Sequence, residues 1–524
     1  MSVKFSIFCN QLIIYFLILI LILQPIAYAT LDVDTDRSPQ VNFRHSDNGI
    51  TVIDIANPTD QGLSDNYFRA YNVPDSGIII NNSVTPGQVS ALGGIIMPNM
   101  NLVDGNGPAS TIVFEVTGTG PSRLTGMTEL HGDSATFILS NPNGIQINGG
   151  AFYNTPRATL TTGEILRDAV GRVTGVSVQN GTISVGERGF TTQTADTDFK
   201  VNAVDLLSRS LELHGAVYAP DITVITGRNH LDYTDIAGAI IPLAPDDAGK
   251  PQFAIDSSHL GGMYANAIRF VSTEHGVGVR FRSDSVAQTQ LYIDAAGVVR
   301  VDNGNLISRD RLDIHATALD NDGVILAKTV GVTIADALTN TGSVISTGDT
   351  HIQAQTVANQ PGGVLQAAGT LAITADQIQN TGAVTTVWAD YDATELTWKN
   401  RDTGEIIDLP ETARTWREVT EYGTGEVHLY DYVDNQWVHR DTGDLLDTQA
   451  GRLVLYDNHW FDPQTHRVYT AGGEIDAYTT LADTRIYYAS DVIYTADAIE
   501  LLDSYNPAVI HSGGDLTLTG DVVN

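Results

Sequence analysis

The chain has 524 residues and a formal net charge of −34, because 62 acidic residues outnumber 28 Lys and Arg residues. A polyanion of this size is repelled by nucleic acid and by anionic lipid surfaces, so neither is expected as a partner. Charged residues make up only 17% of the chain, while Gly is abundant and Pro is scarce. This composition favours many short strands and turns over helices or disorder.

The first 29 residues have the pattern of a secretory signal peptide. Lys4 gives a basic start, residues 12–23 form an apolar core, and Ala27-Tyr28-Ala29 is a small-residue cleavage site. A retained membrane anchor is the alternative, which the Ala-x-Ala ending disfavours. The single cysteine, Cys9, lies inside this segment, so the mature chain is expected to form no disulfide. Such a chain is not trapped by oxidation while it crosses the periplasm unfolded.

A tight turn followed by a strand is predicted at residues 140–147. The turn residues are Asn141, Pro142, Asn143 and Gly144. Proline fixes one turn position, the asparagine side chains can bond to their own backbone, and glycine tolerates the exit from the turn. Ile145 and Ile147 then alternate with polar neighbours, which is the two-residue period of a half-buried strand. From turn chemistry alone, this stretch is a hairpin or a corner between strands.

The same run resembles the signature of the two-partner secretion domain at the N-terminus of filamentous haemagglutinin-type exoproteins. Other stretches that resemble motifs of that family occur in the same order, at residues 49–58, 97–100, 121–126 and 255–280. The family typically has Asn-Pro-Asn-Leu where this chain has Met-Pro-Asn-Met, so only Pro98 and Asn99 are carried over from that motif. Several motifs in the right order are more specific than a single match.

The hydrophobic alternation changes phase within residues 49–58. Ile50 and Val52 fall on one face, whereas Ile53 and Ile55 fall on the other. Such a shift predicts a bulge or a bend between short strands.

No cofactor and no metal site are expected. His259 and His275 have no partner at ligand spacing and are predicted to lie in strands or turns. The sequence contains no His-Glu-x-x-His, no Gly-x-Ser-x-Gly and no phosphate-binding Gly-rich loop with its lysine.

After Val301 the chain repeats the pattern Ala-x-x-aliphatic-x-Asn four times. The asparagines, spaced by 19, 19 and 21 residues, are Asn321, Asn340, Asn359 and Asn380. A further aliphatic residue falls four positions later at Ile325, Val344 and Val384. This period predicts one coil of a parallel β-helix per repeat, with the alanine and aliphatic positions inside and an amide ladder of asparagines. A leucine-rich horseshoe has a similar period but needs more leucines per repeat.

Residues 385–491 interrupt the repeats and contain all five tryptophans of the chain. Aromatic runs separated by turn residues predict a β-meander, either a packed extension beside the coils or a ligand surface. Repeat-like sequence is predicted to return at Ala496 and to stop within a coil, which suggests a longer protein.

The predicted fold is all-β, a right-handed parallel β-helix with an N-terminal cap and an extra-helical β-meander insertion. The predicted divisions are a signal peptide at 1–29, a two-partner secretion domain at 30–300, repeats at 301–384, the aromatic insertion at 385–491 and resumed repeats at 492–524.

The resemblance implies a non-enzymatic exoprotein of a Gram-negative bacterium. It would cross the periplasm unfolded and be exported by an outer-membrane β-barrel transporter with periplasmic recognition domains. At the cell surface it would act as an adhesin or haemagglutinin, or as the stalk of a contact-dependent inhibition toxin, with a host or neighbouring-cell receptor. The residues implied in transporter recognition are Asn141, Pro142, Asn143, Gly144, Ile145, Pro98 and Asn99. The alternative is a β-helical polysaccharide-acting enzyme, a lyase or hydrolase, which needs clustered carboxylates and a basic residue.

Overall fold

The computed structural model describes residues 31–523, except positions 193–198, 234, 237, 239, 410, 423–426, 434–435, 443–444, 447, 450–451, 456–458, 463–466, 471–472 and 476–485. The predicted signal peptide, residues 1–29, lies outside the described residues. In these ranges no helix combines the length and the apolar character that crossing a membrane requires.

The described chain forms two compact units. The first contains the residues up to Gly382 and those from Pro507 onward, and the second is Ala383–Asn506. Most strands of the first unit belong to one continuous sheet that winds through successive coils. These strands are Leu31–Val33, Asn42–His45, Thr51–Asp54, Leu63–Tyr71, Ile78–Asn82, Thr111–Val116, Ser122–Leu124, Met127–Gly132, Thr136–Ser140, Ile145–Ile147, Gly150–Tyr153, Arg157–Thr161, Thr182–Val185, Phe190–Thr191, Ala203–Ser208, Ser210–Leu213, Ala216–Tyr218, Asp221–Thr226, Phe253–Ser257, Gly262–Ser272, Gly278–Phe281, Asp284–Val301, Asn305–Ser308, Arg311–Asn321, Val324–Ala327, Thr329–Ile334, Ala337–Asn340, Ser343–Ser346, Thr350–Gln353, Thr356–Asn359, Val364–Ala367, Leu371–Asn380, Val509–Ser512 and Leu516–Val523.

Two smaller sheets and one short helix complete the first unit. A four-stranded antiparallel sheet, called the side sheet below, consists of Glu164–Arg167, Val173–Val178, Asn229–Asp232 and Ile240–Pro242. A hairpin is formed by Gln88–Ser90 and Gly94–Ile96, and the helix is Met100–Val103.

The second unit consists of antiparallel sheets and a 3-10 helix at Glu411–Arg414. The first sheet, called the inner sheet, comprises Ala383–Asp392, Thr397–Asn400, Ile406–Ile407 and Ala498–Asn506. The second, called the outer sheet, comprises Thr415–Tyr422, Val427–Val433, Gln436–His439, Leu445–Leu446 and Ile486–Thr495. The third comprises Thr448–Gln449, Arg452–Leu455, His459–Asp462, Arg467–Thr470 and Gly473–Ile475.

The repeats form coils stacked in register. Leu319 pairs in parallel with Leu338, which pairs with Val357, which in turn pairs with Ile378. All four side chains are fully buried, so each coil places its apolar residue on the one before it. An all-β chain with these parallel pairings confirms the predicted parallel β-helix.

An aromatic column fills the core of the N-terminal coils. The ring centroids of Phe114 and Phe137 are 5.2 Å apart, those of Phe137 and Phe152 are 5.5 Å apart, and those of Phe152 and Phe190 are 5.8 Å apart. These are the separations at which tilted and edge-on ring pairs are attractive. In the repeats, aliphatic side chains fill the core in place of these aromatic rings.

The asparagines of the repeats donate to one another along the stack. Nδ2 of Asn321 lies 2.7 Å from Oδ1 of Asn340, and Nδ2 of Asn340 lies 2.8 Å from Oδ1 of Asn359. Nδ2 of Asn359 lies 2.9 Å from Oδ1 of Asn380. Because Asn340 and Asn359 are fully buried, each amide satisfies a neighbour that water cannot reach.

Antiparallel strands cover the N-terminal end of the stack. Leu31–Val33 pairs with the end of Leu63–Tyr71, and Asn42–His45 pairs with Thr51–Asp54. A strand edge that is paired in this way cannot recruit another chain.

Of the bulge or bend predicted within residues 49–58, the structure has no bulge in the strand Thr51–Asp54. Thr51–Asp54 pairs without a register shift on both sides. Ile53 and Ile55 face the main core, whereas Val52 packs with Ile79 in a small core beneath the hairpin. The change of hydrophobic phase therefore reflects burial on both faces of the strand.

Two predicted positions of the repeat are also wrong. Val384 is exposed and pairs with Tyr505 in the second unit, while Ile510 occupies the place on Leu365 that was expected for Val384. Ala335 is exposed rather than internal, because it lies at a corner between strands. Two-residue alternation does not extend through such a corner.

The coil resumes later than predicted. The strand Ala498–Asn506 pairs antiparallel with Ala383–Asp392 and belongs to the second unit. Stacking resumes with Val509, which pairs with Val364 of the preceding coil. The prediction that Ala496 begins a coil is therefore wrong, because the strand that follows it pairs antiparallel within the second unit.

We expect Asn340→Ala to loosen the stack locally, because it leaves the Asn359 acceptor without its donor and removes one acceptor of Asn321. The loss should be about 2 kcal/mol of local opening free energy, or roughly thirtyfold faster amide exchange, for residues 319–367. Hydrogen-exchange mass spectrometry measures this. Gln353→Ala, which removes an exposed amide from an adjacent coil, is the control and should leave exchange unchanged. Equal exchange in both variants would contradict the structural role of the ladder.

Candidate secretion-recognition site

The turn at residues 141–144 is closed by backbone and side-chain hydrogen bonds. The amide of Gly144 donates to the carbonyl of Asn141 at 3.0 Å. Oδ1 of Asn141 accepts from the amide of Asn143 at 2.9 Å. Gly144 has a φ of 106°, a backbone conformation that favours glycine. The local geometry therefore accounts for asparagine at position 141 and for glycine at position 144.

Asn141 also joins its coil to both neighbouring coils. Its Nδ2 donates to the carbonyl of Gly120 and to Oγ of Ser122, both at 3.0 Å. Its amide donates to the carbonyl of Thr161 at 2.9 Å on the other side. The side chain is fully buried, so in the folded protein Asn141 acts as a link between coils.

The exposed part of the motif is small. Ile145 is fully buried, where it pairs with Ser122 and Ile183 of the adjacent coils. Pro142 and Asn143 are exposed, whereas Gly144 is buried. A partner that met the folded domain would reach Pro142 and Asn143 but not the other three residues.

The second motif repeats this use of asparagine. Asn99 is fully buried, and its Nδ2 donates to the carbonyls of Ile55 at 3.0 Å and Asn81 at 3.1 Å. Its Oδ1 accepts from the amide of Asn101 at 3.0 Å and caps the short helix. Pro98 is half-buried, and its carbonyl accepts from the Arg44 guanidinium at 3.3 Å.

The two motifs lie in different parts of the stack. Asn99 bonds to the coil that contains Ile55, whereas Asn141 bonds to the segment that contains Gly120. What they share is a buried asparagine amide that ties neighbouring chain segments together. These hydrogen bonds do not connect the two motifs to each other.

Sequence reasoning missed the side sheet. Its apolar residues pack against an outward-facing line of the coils, which includes Val113, Ile138 and Leu207. One sequence feature could have predicted this sheet: Ile112, Val113 and Phe114 are consecutive apolar residues and break strict alternation. In the structure all three are buried. Buried residues on both faces of a strand require a second layer.

An arginine on the side sheet is anchored to the coils by two carboxylates. Nη2 of Arg167 donates to Oδ1 of Asp65 at 2.7 Å and also contacts Oε1 of Glu115. Burial opposes the charge of Arg167, but hydrogen bonds and charges from both carboxylates outweigh it and raise its pKa. Burial raises the pKa of Glu115, an effect that Arg167 opposes.

A second anchor surrounds the buried Asp205. Arg157 donates to both carboxylate oxygens, at 2.6 and 3.0 Å, and Thr159 donates to Oδ2 at 2.7 Å. Oη of Tyr233, which follows a side-sheet strand, lies 3.2 Å from Oγ1 of Thr159. Burial, with the nearby charge of Asp205, raises the pKa of Tyr233 to about 12. The network is satisfied and ties the side sheet to the coils.

Within the described residues, no group of three or more His, Cys, Asp or Glu side chains is arranged to hold a metal ion. Nδ1 of His259 lies 3.2 Å from the carbonyl of Arg282, and His275 is exposed.

The geometry defines a class of protein: a parallel β-helix whose corners are tied by buried asparagines and whose flank carries a second sheet. The family model described as the TPS secretion domain matches residues 31–301, which is more than half of the chain. The chain therefore belongs to the TPS secretion domain family, the two-partner secretion family that its motifs resemble.

The chain is similar to much longer curated relatives. It is 37% identical over 256 residues to a 16S rRNA endonuclease CdiA of Enterobacter cloacae, which covers 49% of this chain and 7% of the relative. It is 32% identical over 363 residues to a tRNA nuclease CdiA of Yersinia mollaretii, which covers 65% of this chain and 12% of the relative. The similarity thus spans a small fraction of either relative.

Two solved structures are similar to the chain. The filamentous hemagglutinin secretion domain gives a TM-score of 0.44 at 28% identity, covering 66% of this chain and 96% of that structure. The HMW1 secretion domain from Haemophilus influenzae gives a TM-score of 0.36 at 13% identity, covering 65% of this chain and 91% of that structure.

We expect Asn141→Ala to destabilise the folded domain by about 2–4 kcal/mol, because the buried Ser122 hydroxyl, the Gly120 carbonyl and the Asn143 amide lose their partner. Asn143→Ala is the matched control, since it removes an exposed amide that bonds to the carbonyl of Gly118 and to Oδ1 of Asn141, and it should cost less than about 1 kcal/mol. Urea unfolding of the purified chain, followed by circular dichroism, compares the two. Equal midpoints would show that burial of Asn141 does not matter.

The Tyr233 hydroxyl should make the domain sensitive to alkali. Its folded pKa of about 12 lies above the ordinary value of 10, so between these values the unfolded chain loses the proton first. Stability therefore falls as pH rises above 10, by on the order of 2 kcal/mol. Tyr233→Phe should lessen this fall when urea midpoints at pH 8 and pH 11 are compared. An unchanged fall would place the sensitivity elsewhere, for example at the buried Tyr71, whose pKa burial also raises.

Proposed function

We propose that this chain is the N-terminal part of a large exoprotein that a cognate outer-membrane β-barrel transporter exports to the surface of a Gram-negative bacterium. The observation that carries the proposal is the match of the TPS secretion domain to residues 31–301. In this proposal the chain crosses the periplasm and is read there by the recognition domains of the transporter.

The turn motif is proposed to act twice. In the unfolded chain, residues 141–145 are an accessible address, since Asn141, Gly144 and Ile145 become buried only on folding. An extended segment with alternating apolar residues suits recognition by strand addition. After export, the same residues close a corner of the coil. The motif containing Pro98 and Asn99 is proposed to act in the same way.

Folding outside the cell is proposed to favour outward transport. Each coil contacts its neighbours in the stack, so folding can proceed from the N-terminal cap as segments emerge. A folded coil withdraws unfolded chain from the transporter, which shifts the equilibrium outward. The absence of cysteine after Cys9 agrees with this route, because no disulfide can trap the chain on the way.

The exported protein is proposed to serve as the stalk of a contact-dependent inhibition system, with an adhesin or haemagglutinin as the second candidate. The stalk is favoured because the relatives carry the name CdiA with nuclease titles, and this chain matches at most 12% of their length. In either case a receptor on a host or neighbouring cell is expected. A secretion domain does not favour a polysaccharide-acting enzyme in residues 31–301.

The double variant Asn141→Ala, Pro142→Ala should reduce secretion at least tenfold. The measurement is the amount of chain in the medium and on the surface of cells that express the cognate transporter, compared with the amount that stays in the periplasm. Gln146→Ala, an exposed change in the adjoining strand, is the control and should be secreted normally.

Recognition and folding are separated by a second measurement. If the double variant stays in the periplasm but still binds the isolated recognition domains of the transporter, the substitutions impair folding and not recognition. Export of the double variant at the level of the unchanged protein would refute the role of both residues.

A further inference from the structure

A cavity of about 580 Å³ lies within the second unit. Its walls come from the inner sheet, which supplies Trp388 and Glu500, from the outer sheet, which supplies Trp416 and Asp431, and from Arg440, which follows an outer-sheet strand. The remaining lining is mostly aliphatic. Small-molecule sites occupy about 300–1,000 Å³ and combine apolar walls with a few polar groups, and this cavity has both properties.

Two tryptophans give the cavity flat apolar surfaces. Trp388 is 41% exposed although it is a large aromatic residue on a strand, and one face of its ring lies 4.8 Å from the guanidinium of Arg401. The guanidinium of Arg440 lies 6.0 Å from the ring of Trp416. Trp416 is half-buried, whereas an exposed tryptophan such as Trp388 beside a cavity is unusual without a ligand, because burial of an indole ring is strongly favourable.

The cations around the cavity are already neutralised. Nε of Arg440 lies 3.1 and 3.0 Å from the two carboxylate oxygens of Asp431. Nη2 of Arg401 lies 2.7 Å from Oδ1 of Asp390. Each pair fixes a planar guanidinium beside a carboxylate, which sets donors and acceptors side by side.

The charge of the lining disfavours an anionic ligand. With Arg440 paired to Asp431, the carboxylate of Glu500 adds a further negative charge, and it accepts a hydrogen bond from Thr386 at 2.7 Å. A cation is also a poor fit, because the guanidiniums of Arg401 and Arg440 lie 4.8 and 6.0 Å from the two rings, so a further cation there would meet a positive charge. A neutral ligand with apolar faces and many hydroxyl groups satisfies both conditions.

We propose that this cavity binds a neutral sugar. The C–H faces of a pyranose ring would lie on Trp388 and Trp416, while its hydroxyls would donate to the carboxylates of Asp431 and Glu500 and accept from Arg440. The inference does not depend on the proposed route of secretion, because it concerns residues outside the matched secretion domain.

The test is isothermal titration calorimetry of the purified full chain with the methyl glycosides of glucose, galactose and N-acetylglucosamine. At least one should bind saturably at millimolar concentration. N-acetylneuraminic acid, an anionic sugar, and tetramethylammonium, a cation, are the comparison probes and should bind at least tenfold more weakly.

Variants locate the binding. Trp388→Ala and Glu500→Gln, both at exposed positions, should raise the dissociation constant at least tenfold while the melting temperature stays constant. Tyr505→Ala, an exposed aromatic on the same sheet but outside the cavity lining, is the control and should bind as the unchanged chain does. Binding unaffected by Trp388→Ala and Glu500→Gln, no binding of any glycoside, or tighter binding of tetramethylammonium would each overturn the proposal.

Discussion

In-register parallel stacking is the constraint on which the first unit depends. Every coil must place its inner side chains on those of the coil before it, as Leu338 does on Leu319. Because side chains alternate with a period of two, a slip of one residue would turn the apolar set outward. Buried asparagines at the corners oppose such a slip. Asn99, Asn141 and the Asn340 ladder each satisfy groups on a neighbouring segment that only the correct register brings within reach.

The flank of the secretion domain follows from the same stacking. Coils whose strands are apolar on both faces, as at Val113 and Ile138, leave an outward line that needs cover. The side sheet supplies it, and the Arg167 and Asp205 clusters attach the sheet through charges that are paired and hydrogen-bonded. Ion pairs of this kind contribute more to fixing position than to net stability, since desolvation opposes their attraction.

The second unit shows how a solenoid tolerates insertion. The chain leaves the stack after Gly382 and returns at Val509, which pairs with Val364 as the next coil requires. Contacts in a stack are local, so a compact unit can be inserted between two strands without disturbing coils elsewhere. A site on such a unit can change its ligand independently of the proposed secretion address in the first unit.

Elements with a local or periodic signal could be predicted from the amino-acid sequence. The turn at Asn141 was predictable because turn chemistry depends on adjacent residues. The Asn340 repeat and the parallel coils were predictable because the same residue types recur with a period near twenty residues. The burial of Asn141, the side sheet and the return of the coil at Val509 were decided by tertiary structure. Each depends on which distant segment pairs with which. That choice is made by the free energy of the whole packed layer, and no local pattern of side chains encodes it.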